Sequence, residues 1–366
     1  MVVRAPKIEF VTIVGRIYTD SEGYRGLISL ANKFRTCVKK AVRILCKGTD
    51  SSQVERILTK EMNAYYAKTI VDYAKFITRE SRAPQKAKIN KLFIASKGNS
   101  REKGNRNIRL LSSNKLVINV NFTHKSSKHD NWIECEVKFG KQYLPLINEV
   151  IERALNGEIS YTSRIVFKDE GVYLHLSIPI ELYIKHFRKG SAKGSNIASF
   201  DLNSDRINMI IVDQQGIIRD IKTEWISEVT CPGFPKNKAW ALRLNALSRL
   251  LKYAYYHGVS IVLFEDLYKI RRKYGRKTGN KNANRKITGF PKRKLLNYGI
   301  LMALKYGFKV YLVNPAYTSR LGEVLSKPLG LDGHVTSAYM LTLKYLSPRT
   351  FEKLLNKDFL SKLLFR

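Results

Sequence analysis

The spacing of apolar residues gives the first half of the chain a mixed strand and helix pattern. Residues 7–19 are rich in Val, Ile, Phe and Tyr and predict a strand. Helices are predicted over 24–45 and 52–78, because apolar residues recur there at helical spacing. Strand-like runs return at 116–122, 132–139, 163–167 and 171–178, with a helix over 144–155. The order predicts a β-domain whose first strand is separated from the rest by a helical insertion.

After the linker-like segment 188–195, strands and helices alternate. Strands are predicted at 197–202, 206–212, 217–221, 259–264 and 309–312, and helices over 237–257, over 295–306 and from about 334 onward. Segment 85–114 in the first half is basic and partly loop. The sequence therefore predicts an α/β carboxyl-terminal domain and an α+β amino-terminal lobe.

The net charge of the chain is the strongest indication of its class of partner. The chain has 366 residues, with 66 Lys and Arg against 30 Asp and Glu, and a formal net charge of +36. Such an excess is relieved by a polyanion, and nucleic acid is the natural partner because each neutralised phosphate releases counterions. A ribosomal or membrane-surface protein is the alternative for this composition.

Two further patterns narrow the class of protein. Neither a secretory signal nor an apolar stretch of the roughly 18 residues that a spanning helix needs is evident. The cysteines, Cys37, Cys46, Cys135 and Cys231, form no Cys-x-x-Cys pair, so neither structural zinc nor a disulfide framework is indicated. We expect a cytoplasmic, nucleoid-associated protein with reduced cysteines and no membrane partner.

Acidic and imidazole side chains stand at the ends of elements in the second half. Asp201 ends an apolar strand, and Glu265 ends the run Ile261-Val-Leu-Phe264, which is typical of a strand covered on both faces. Asp332 and His334 begin an apolar helix. If these three segments converge, they supply the oxygen ligands that Mg²⁺ prefers for phosphodiester cleavage.

Each of these residues also has a structural interpretation. Asp201 could cap the turn that follows it, Glu265 could be a solvated strand end, and Asp332 could be a helix N-cap. A single histidine such as His334 is more often structural than a ligand. The hypothesis of a nuclease rests on the ordered set together with the positive charge.

Basic residues follow Glu265 closely along the chain. They fall in two groups, Arg271, Arg272, Lys273 and Arg276, and then Lys292, Arg293 and Lys294. A Gly/Asn-rich basic loop beside a metal site would suit phosphate contacts to a single DNA strand. The alternative interpretation is a solvated loop.

The second half resembles the TnpB family, the OrfB-type insertion-sequence proteins. Asp201-Leu-Asn203 with its hairpin is similar to the family's first RuvC motif, and Ile261–Leu267 is similar to the second. Val313-Asn-Pro-Ala-Tyr-Thr-Ser319 resembles the segment before the family's zinc ribbon. The resemblance covers residues 195–346 by motif, and the first half agrees in layout only. It implies an RNase H-like (RuvC) nuclease related to type V CRISPR effectors.

Two departures from the family pattern qualify this resemblance. Where the family has two Cys-x-x-Cys pairs, residues 320–330 hold no cysteine, so the chain resembles a subgroup without the zinc ribbon. Aligning the family's third motif, an Asp before a small-residue helix, on Ser337-Ala338 places His334 at the catalytic position. The resemblance then implies Asp201, Glu265 and His334 as catalytic and metal-binding residues, with Asp332 as an auxiliary ligand.

The resemblance also implies an organisation and a function. Residues 1–20 and 110–190 would form a β-barrel wedge domain, 21–109 a helical recognition insertion, 195–346 the RuvC-like domain and 347–366 a helical tail. A guide RNA and a target DNA would be the partners, and Mg²⁺ or Mn²⁺ the cofactor. The alternatives are a nuclease-inactive RNA-guided DNA-binding protein, and a resolvase or transposase acting without RNA.

Overall fold

The computed structural model describes residues 3–81, 84, 89–121, 131–268 and 291–356. The chain divides into two compact units: an N-terminal unit, Glu9–His186, and a C-terminal unit in which Met1–Ile8 joins Phe187–Arg366. The first strand, β1 (Val3–Arg4), therefore belongs with residues that lie far away in the sequence. Residues 188–195 lie just inside the C-terminal unit, next to the boundary.

A seven-stranded sheet forms the core of the N-terminal unit. Its strands, in the order β3-β7-β8-β2-β6-β5-β4, are β2 (Phe10–Tyr18), β3 (Phe93–Ser96), β4 (Ile108–Leu110), β5 (Lys115–Asn119), β6 (Trp132–Lys138), β7 (Thr162–Lys168) and β8 (Gly171–Pro179). All their pairings are antiparallel. Buried residues alternate with more exposed ones along β8, as expected for strands covered on one face. Strands β3 and β4 lie in the segment that was expected to be partly loop.

Helices enter this unit between β2 and β3 and again near its end. They are α1 (Ser21–Leu45), α2 (Ser51–Leu58), α3 (Ala64–Glu80), α4 (Leu144–Leu155) and α5 (Ile180–Phe187). The single helix predicted over 52–78 is wrong. Asn63 starts a new helix there, because its side-chain oxygen accepts a hydrogen bond from the backbone N–H of Tyr66 at 3.1 Å. The apolar spacing hid this break because Met62 and Tyr66, on either side of Asn63, are both buried.

The C-terminal unit is built on a mixed six-stranded sheet. Its order is β1-β13-β12-β9-β10-β11, with β9 (Asn196–Leu202), β10 (Arg206–Val212), β11 (Ile218–Trp225), β12 (Val259–Glu265) and β13 (Lys309–Val313). Strands β9, β10 and β11 are antiparallel neighbours, whereas β12 lies parallel to both β9 and β13. The unit is thus mixed α/β, in agreement with the expectation for this part of the chain.

Helices cover both faces of this sheet. They are α6 (Lys236–Tyr256), α7 (Lys292–Lys305), α8 (Thr318–Leu329), α9 (Gly333–Leu346) and α10 (Pro348–Leu354). One core joins Phe200 and Phe264 to α6 and α7, and the other joins Ile197 and Leu263 to α9. Helices α5 and α8 and strand β1 were not predicted from the sequence, whereas α10 lies in the segment 347–366 that was expected to be a helical tail. No helix in the described part of the chain is both long and apolar enough to span a membrane.

Candidate active site

Asp201 and Glu265 lie next to each other at the carboxyl ends of two parallel strands. Phe200 of β9 is in register with Phe264 of β12, and each phenylalanine is followed by one of the carboxylates. Both phenylalanines face the core under α6 and α7, with ring centroids 5.1 Å apart. Because side chains alternate along a strand, the two carboxylates point to the other face, where α9 lies.

In this position the two carboxyl groups repel each other when both are ionised. Asp201 is 6% exposed. Burial, and then the negative charge of Asp201, raise the pKa of Glu265 to about 7, while nearby Lys292 acts in the opposite direction. The pair therefore resists carrying two negative charges at once unless a cation is present.

His334 and Asn203 complete the polar contacts of Asp201. His334 Nδ1 is 3.1 Å from Asp201 Oδ2, and the Asn203 side-chain amide donates to the same oxygen at 2.7 Å. The hydrogen bond with Asp201 raises the pKa of His334, against the opposing effect of burial. Three separate segments, residues 201–203, 265 and 334, are thus brought to one place.

Asp332 holds the start of helix α9. Its Oδ1 accepts a hydrogen bond from the backbone N–H of His334 at 2.9 Å, as an N-cap does. Helix α9 is in turn fixed to β9, because Ser199 Oγ donates to the carbonyl of Ala338 at 2.7 Å. The cap and this anchor together set the position of His334.

One cavity of about 810 Å³ contains all four of the predicted residues. Its polar lining consists of Asp201, Asn203, Arg206, Glu265, Lys292, Asn314, Ser319, Glu323, Asp332, His334 and Ser337. Asn314 directly follows β13, so a third parallel strand end reaches the cavity.

The possible metal ligands in the cavity fit an oxygen-preferring divalent ion only in part. In the described ranges, no three or more His, Cys, Asp or Glu side chains are grouped so that they could hold a metal ion. The adjacent Asp201 and Glu265 carboxylates are ligands of the kind that Mg²⁺ or Mn²⁺ takes, and a cation would relieve their mutual repulsion. His334 is paired with Asp201, and Asp332 caps its helix, so the fit rests on the two carboxylates.

The predicted basic residues differ in what they contact. Lys292 lines the cavity. Arg293 Nε donates to the carbonyl of Leu267 at 3.1 Å, and Lys294 Nζ lies 4.2 Å from the centroid of the Trp240 ring. Arg271, Arg272, Lys273 and Arg276 lie outside the described residues.

Several cavity residues were not singled out as functional from the sequence. Those with polar side chains are Asn203, Arg206, Asn314, Ser319, Glu323 and Ser337. Asn203 and Asn314 lie inside the motifs quoted for the resemblance, so the motifs already held a signal for them. Arg206 had none, because its place in the cavity depends on the hairpin geometry between β9 and β10.

Sequence comparison finds a matching family and a close relative over most of the chain. A model of the SSO2105 N-terminal domain matches residues 10–188. The uncharacterized protein SSO2105 of Saccharolobus solfataricus is 37% identical over 354 residues, which cover 92% of each chain.

Solved structures give more distant likenesses. Cas12f1 in a complex with sgRNA and target DNA is 14% identical, with a TM-score of 0.46 over 87% of this chain and 82% of that one. T. thermophilus RuvC in complex with a Holliday junction substrate is 15% identical, with a TM-score of 0.29 over 43% of this chain and 96% of that one.

Proposed function

The chain belongs to the SSO2105 family, and we propose that its C-terminal unit is a RuvC-like, RNase H-fold nuclease that cleaves DNA. The observation that carries the proposal is the pairing of Asp201 and Glu265 on adjacent parallel strands, with the pKa of Glu265 raised to about 7. Strongly perturbed carboxyl groups in a cleft are typical of functional sites. The net charge of +36 supports a nucleic-acid substrate.

Each of these cavity residues would have a separate role in DNA cleavage. Asp201 and Glu265 would hold Mg²⁺ or Mn²⁺, which supplies an activated water and stabilises charge on the leaving oxygen. Asn203 orients the Asp201 carboxylate through its 2.7 Å hydrogen bond. Lys292 would contact the phosphate from the cavity wall. His334 would become a third ligand if it exchanged its contact with Asp201 for the metal, and Asp332 would be an auxiliary ligand.

The finer proposal is an RNA-guided endonuclease of the TnpB type, encoded by a transposon and lacking the zinc ribbon. Base pairing of a guide RNA would then select the target DNA. The wedge domain, residues 1–20 and 110–190, and the recognition insertion, residues 21–109, would hold the RNA. Residues 195–346 would form the nuclease domain, and 347–366 a helical tail. Arg271, Arg272, Lys273, Arg276, Lys292, Arg293 and Lys294 would bind nucleic acid. The motifs around Asp201 and Glu265 support this proposal.

The test is purification of the full chain from its native host, sequencing of bound RNA, and cleavage of a plasmid that matches that RNA. We expect cleavage that requires Mg²⁺ or Mn²⁺ and is abolished by Asp201→Ala. Asp220→Ala is the matched control, because Asp220 lies on β11 of the same unit and its carboxylate is hydrogen-bonded to Tyr253, outside the cavity lining. Cleavage without any bound RNA would favour a resolvase or transposase instead.

A second candidate function is RNA-guided DNA binding without cleavage. It is favoured by the pairing of His334 with Asp201, which places an imidazole where the related motif has a carboxylate. If matched DNA is bound tightly but stays intact with either metal ion, and Asp201→Ala leaves binding unchanged, the binding function replaces the nuclease.

A further inference from the structure

Trp225 is an exposed aromatic residue at the end of an edge strand. It closes β11, which lies at the edge of the six-stranded sheet, and it is 60% exposed. Its backbone partner across the ladder is Arg206, whose guanidinium carbon lies 4.4 Å from the centroid of the Trp225 ring. The guanidinium of Arg206 therefore lies over the exposed indole ring of Trp225.

Arg206 connects this pair to the candidate active site. It lines the same cavity as Asp201, Glu265 and His334. Its Nε is buried without a hydrogen-bond partner, and its nearest carboxylate, that of Asp205, is 3.7 Å away. Arg206 thus brings a positive charge to the cavity wall, and one of its donors makes no hydrogen bond within the protein.

The strand geometry aligns Trp225 with the carboxylates. On β10, Ile207 faces the core under α6, so Arg206 and Asn208 point to the opposite face, as Asp201 does. Trp225 pairs with Arg206 and shares that face. Neighbouring strands are roughly 4.8 Å apart, so the indole stands two strand spacings, roughly 10 Å, from the strand of Asp201.

We propose that Trp225 and Arg206 form a subsite that stacks an unpaired nucleobase of a single-stranded nucleic acid whose backbone enters the cavity. An aromatic ring beside a guanidinium is the combination that binds bases without regard to sequence, because every base has a π-face. The bases of a duplex are already stacked on one another, so the subsite selects single strands. This inference rests on the proposed function, since it defines the substrate of the same cavity.

The experiment measures binding without metal, so that it is independent of cleavage. The full chain is titrated with fluorescently labelled oligothymidylate, and with a hairpin duplex of equal length, in buffer containing EDTA. Trp225→Ala is compared with Trp225→Phe, which keeps an aromatic ring, and with Ile221→Ala as a control. Ile221 is an exposed apolar residue on the same strand and the same face.

We expect Trp225→Ala to weaken binding of the single strand roughly five- to hundred-fold, with a much smaller effect on the duplex. Trp225→Phe should retain most of the affinity, and Ile221→Ala should bind like the unmodified chain. Equal losses for single strand and duplex, or an unchanged affinity for the single strand, would overturn the proposal. So would a change of oligomeric state in Trp225→Ala, which would identify the surface as a contact between copies.

A second measurement reports on the indole itself. The chain has three tryptophans, so Trp132→Phe with Trp240→Phe leaves Trp225 as the sole reporter. Quenching of its fluorescence by oligothymidylate, and not by the hairpin, is the expected result. Quenching without cleavage in Mg²⁺ or Mn²⁺ would support the stacking subsite and reject the nuclease. Cleavage without quenching would reject the stacking subsite alone.

Discussion

The carboxyl group of Glu265 lies beside that of Asp201, and its pKa is raised to about 7 by burial and by this neighbouring charge. Two like charges on adjacent strand ends weaken folding unless something compensates them. We infer that a bound ligand compensates this repulsion. The pair can therefore be tested by measuring the stability of the protein as well as its activity.

The first prediction concerns stability in the absence of metal. Between the ordinary pKa of 4.5 and the raised value of about 7, the folded protein keeps a proton that the unfolded chain has released. Stability therefore falls as pH rises through this window. Glu265→Gln does not ionise, so above about pH 7 we expect it to unfold with a free energy about 3 kcal/mol higher than the unmodified chain.

Guanidinium denaturation in EDTA, at pH values below and above this window, checks the prediction. The difference should vanish below the ordinary pKa of glutamate. A Glu265→Gln chain that is less stable than the unmodified one at high pH would show that the carboxylate is compensated within the protein itself.

The second prediction concerns the third ligand position. His334→Asp removes the 3.1 Å contact between Nδ1 and Asp201, and adds a carboxylate beside two others. We expect a lower melting temperature in EDTA, because of repulsion, and a larger rise on adding Mg²⁺, because a better ligand set binds the folded state more tightly. Thermal melting with and without Mg²⁺ measures both effects.

His334→Ala is the comparison for that experiment, since it loses the same contact without adding charge. If His334→Asp and His334→Ala respond equally to Mg²⁺, residue 334 does not reach the metal.

The third prediction concerns a buried lysine that holds a loop of the cavity. Lys344 Nζ donates to the carbonyls of Asn314, at 2.8 Å, and Ala316, and burial lowers its pKa to about 8. The loop ends at Tyr317, which has a positive φ of 68°, uncommon for a residue other than glycine. Lys344→Met leaves both carbonyls without this donor and should lower the free energy of unfolding by about 1–3 kcal/mol.

Chemical denaturation checks this value, and Lys327→Met serves as the control, because Lys327 is an exposed residue of α8 and its change should be near zero. A Lys344→Met chain with undiminished stability would mean that the loop is held by its other contacts.

The fourth prediction concerns the ion pair that fixes strand β1. Arg4 donates through Nε and Nη2 to the two oxygens of Asp266, at 2.6 and 2.7 Å, and the Asp266 side chain is 2% exposed. Removing one partner of a buried pair is costly, so Arg4→Ala should lower the free energy of unfolding by about 3–5 kcal/mol.

Arg4→Lys should recover only part of that loss, because an ammonium cannot make the bidentate contact. Equal stability of Arg4→Ala and the unmodified chain, measured by denaturation, would contradict the structural role of this pair.

Local patterns in the sequence were sufficient to predict the strands that carry the candidate active site. The strand predicted over 206–212 is present as β10 with the same bounds, and the one at 259–264 extends by one residue to Glu265 itself. Continuous apolar runs between polar turns define such strands without any help from tertiary structure.

Features that depend on contacts between distant residues were missed. Strand β1 has two residues and exists only because β13 lies beside it. Arg206 and Lys344 gain their roles from partners 19 and 28–30 positions away, on other elements. Helix α8 was hidden because residues 320–330 were compared with a zinc ribbon, whereas their own apolar spacing, with Leu321 and Leu325 buried, is helical.

The participation of β1 in the sheet of the C-terminal unit also bears on how the chain folds during synthesis. Val3 and Arg4 are synthesised some 300 positions before β13, so they must wait for that strand before they find their hydrogen-bonding partner. A proteolytic cut between the two units would carry β1 away with the wrong fragment. The remaining piece would then expose the free edge of β13, which is the kind of edge that recruits other chains into aggregates.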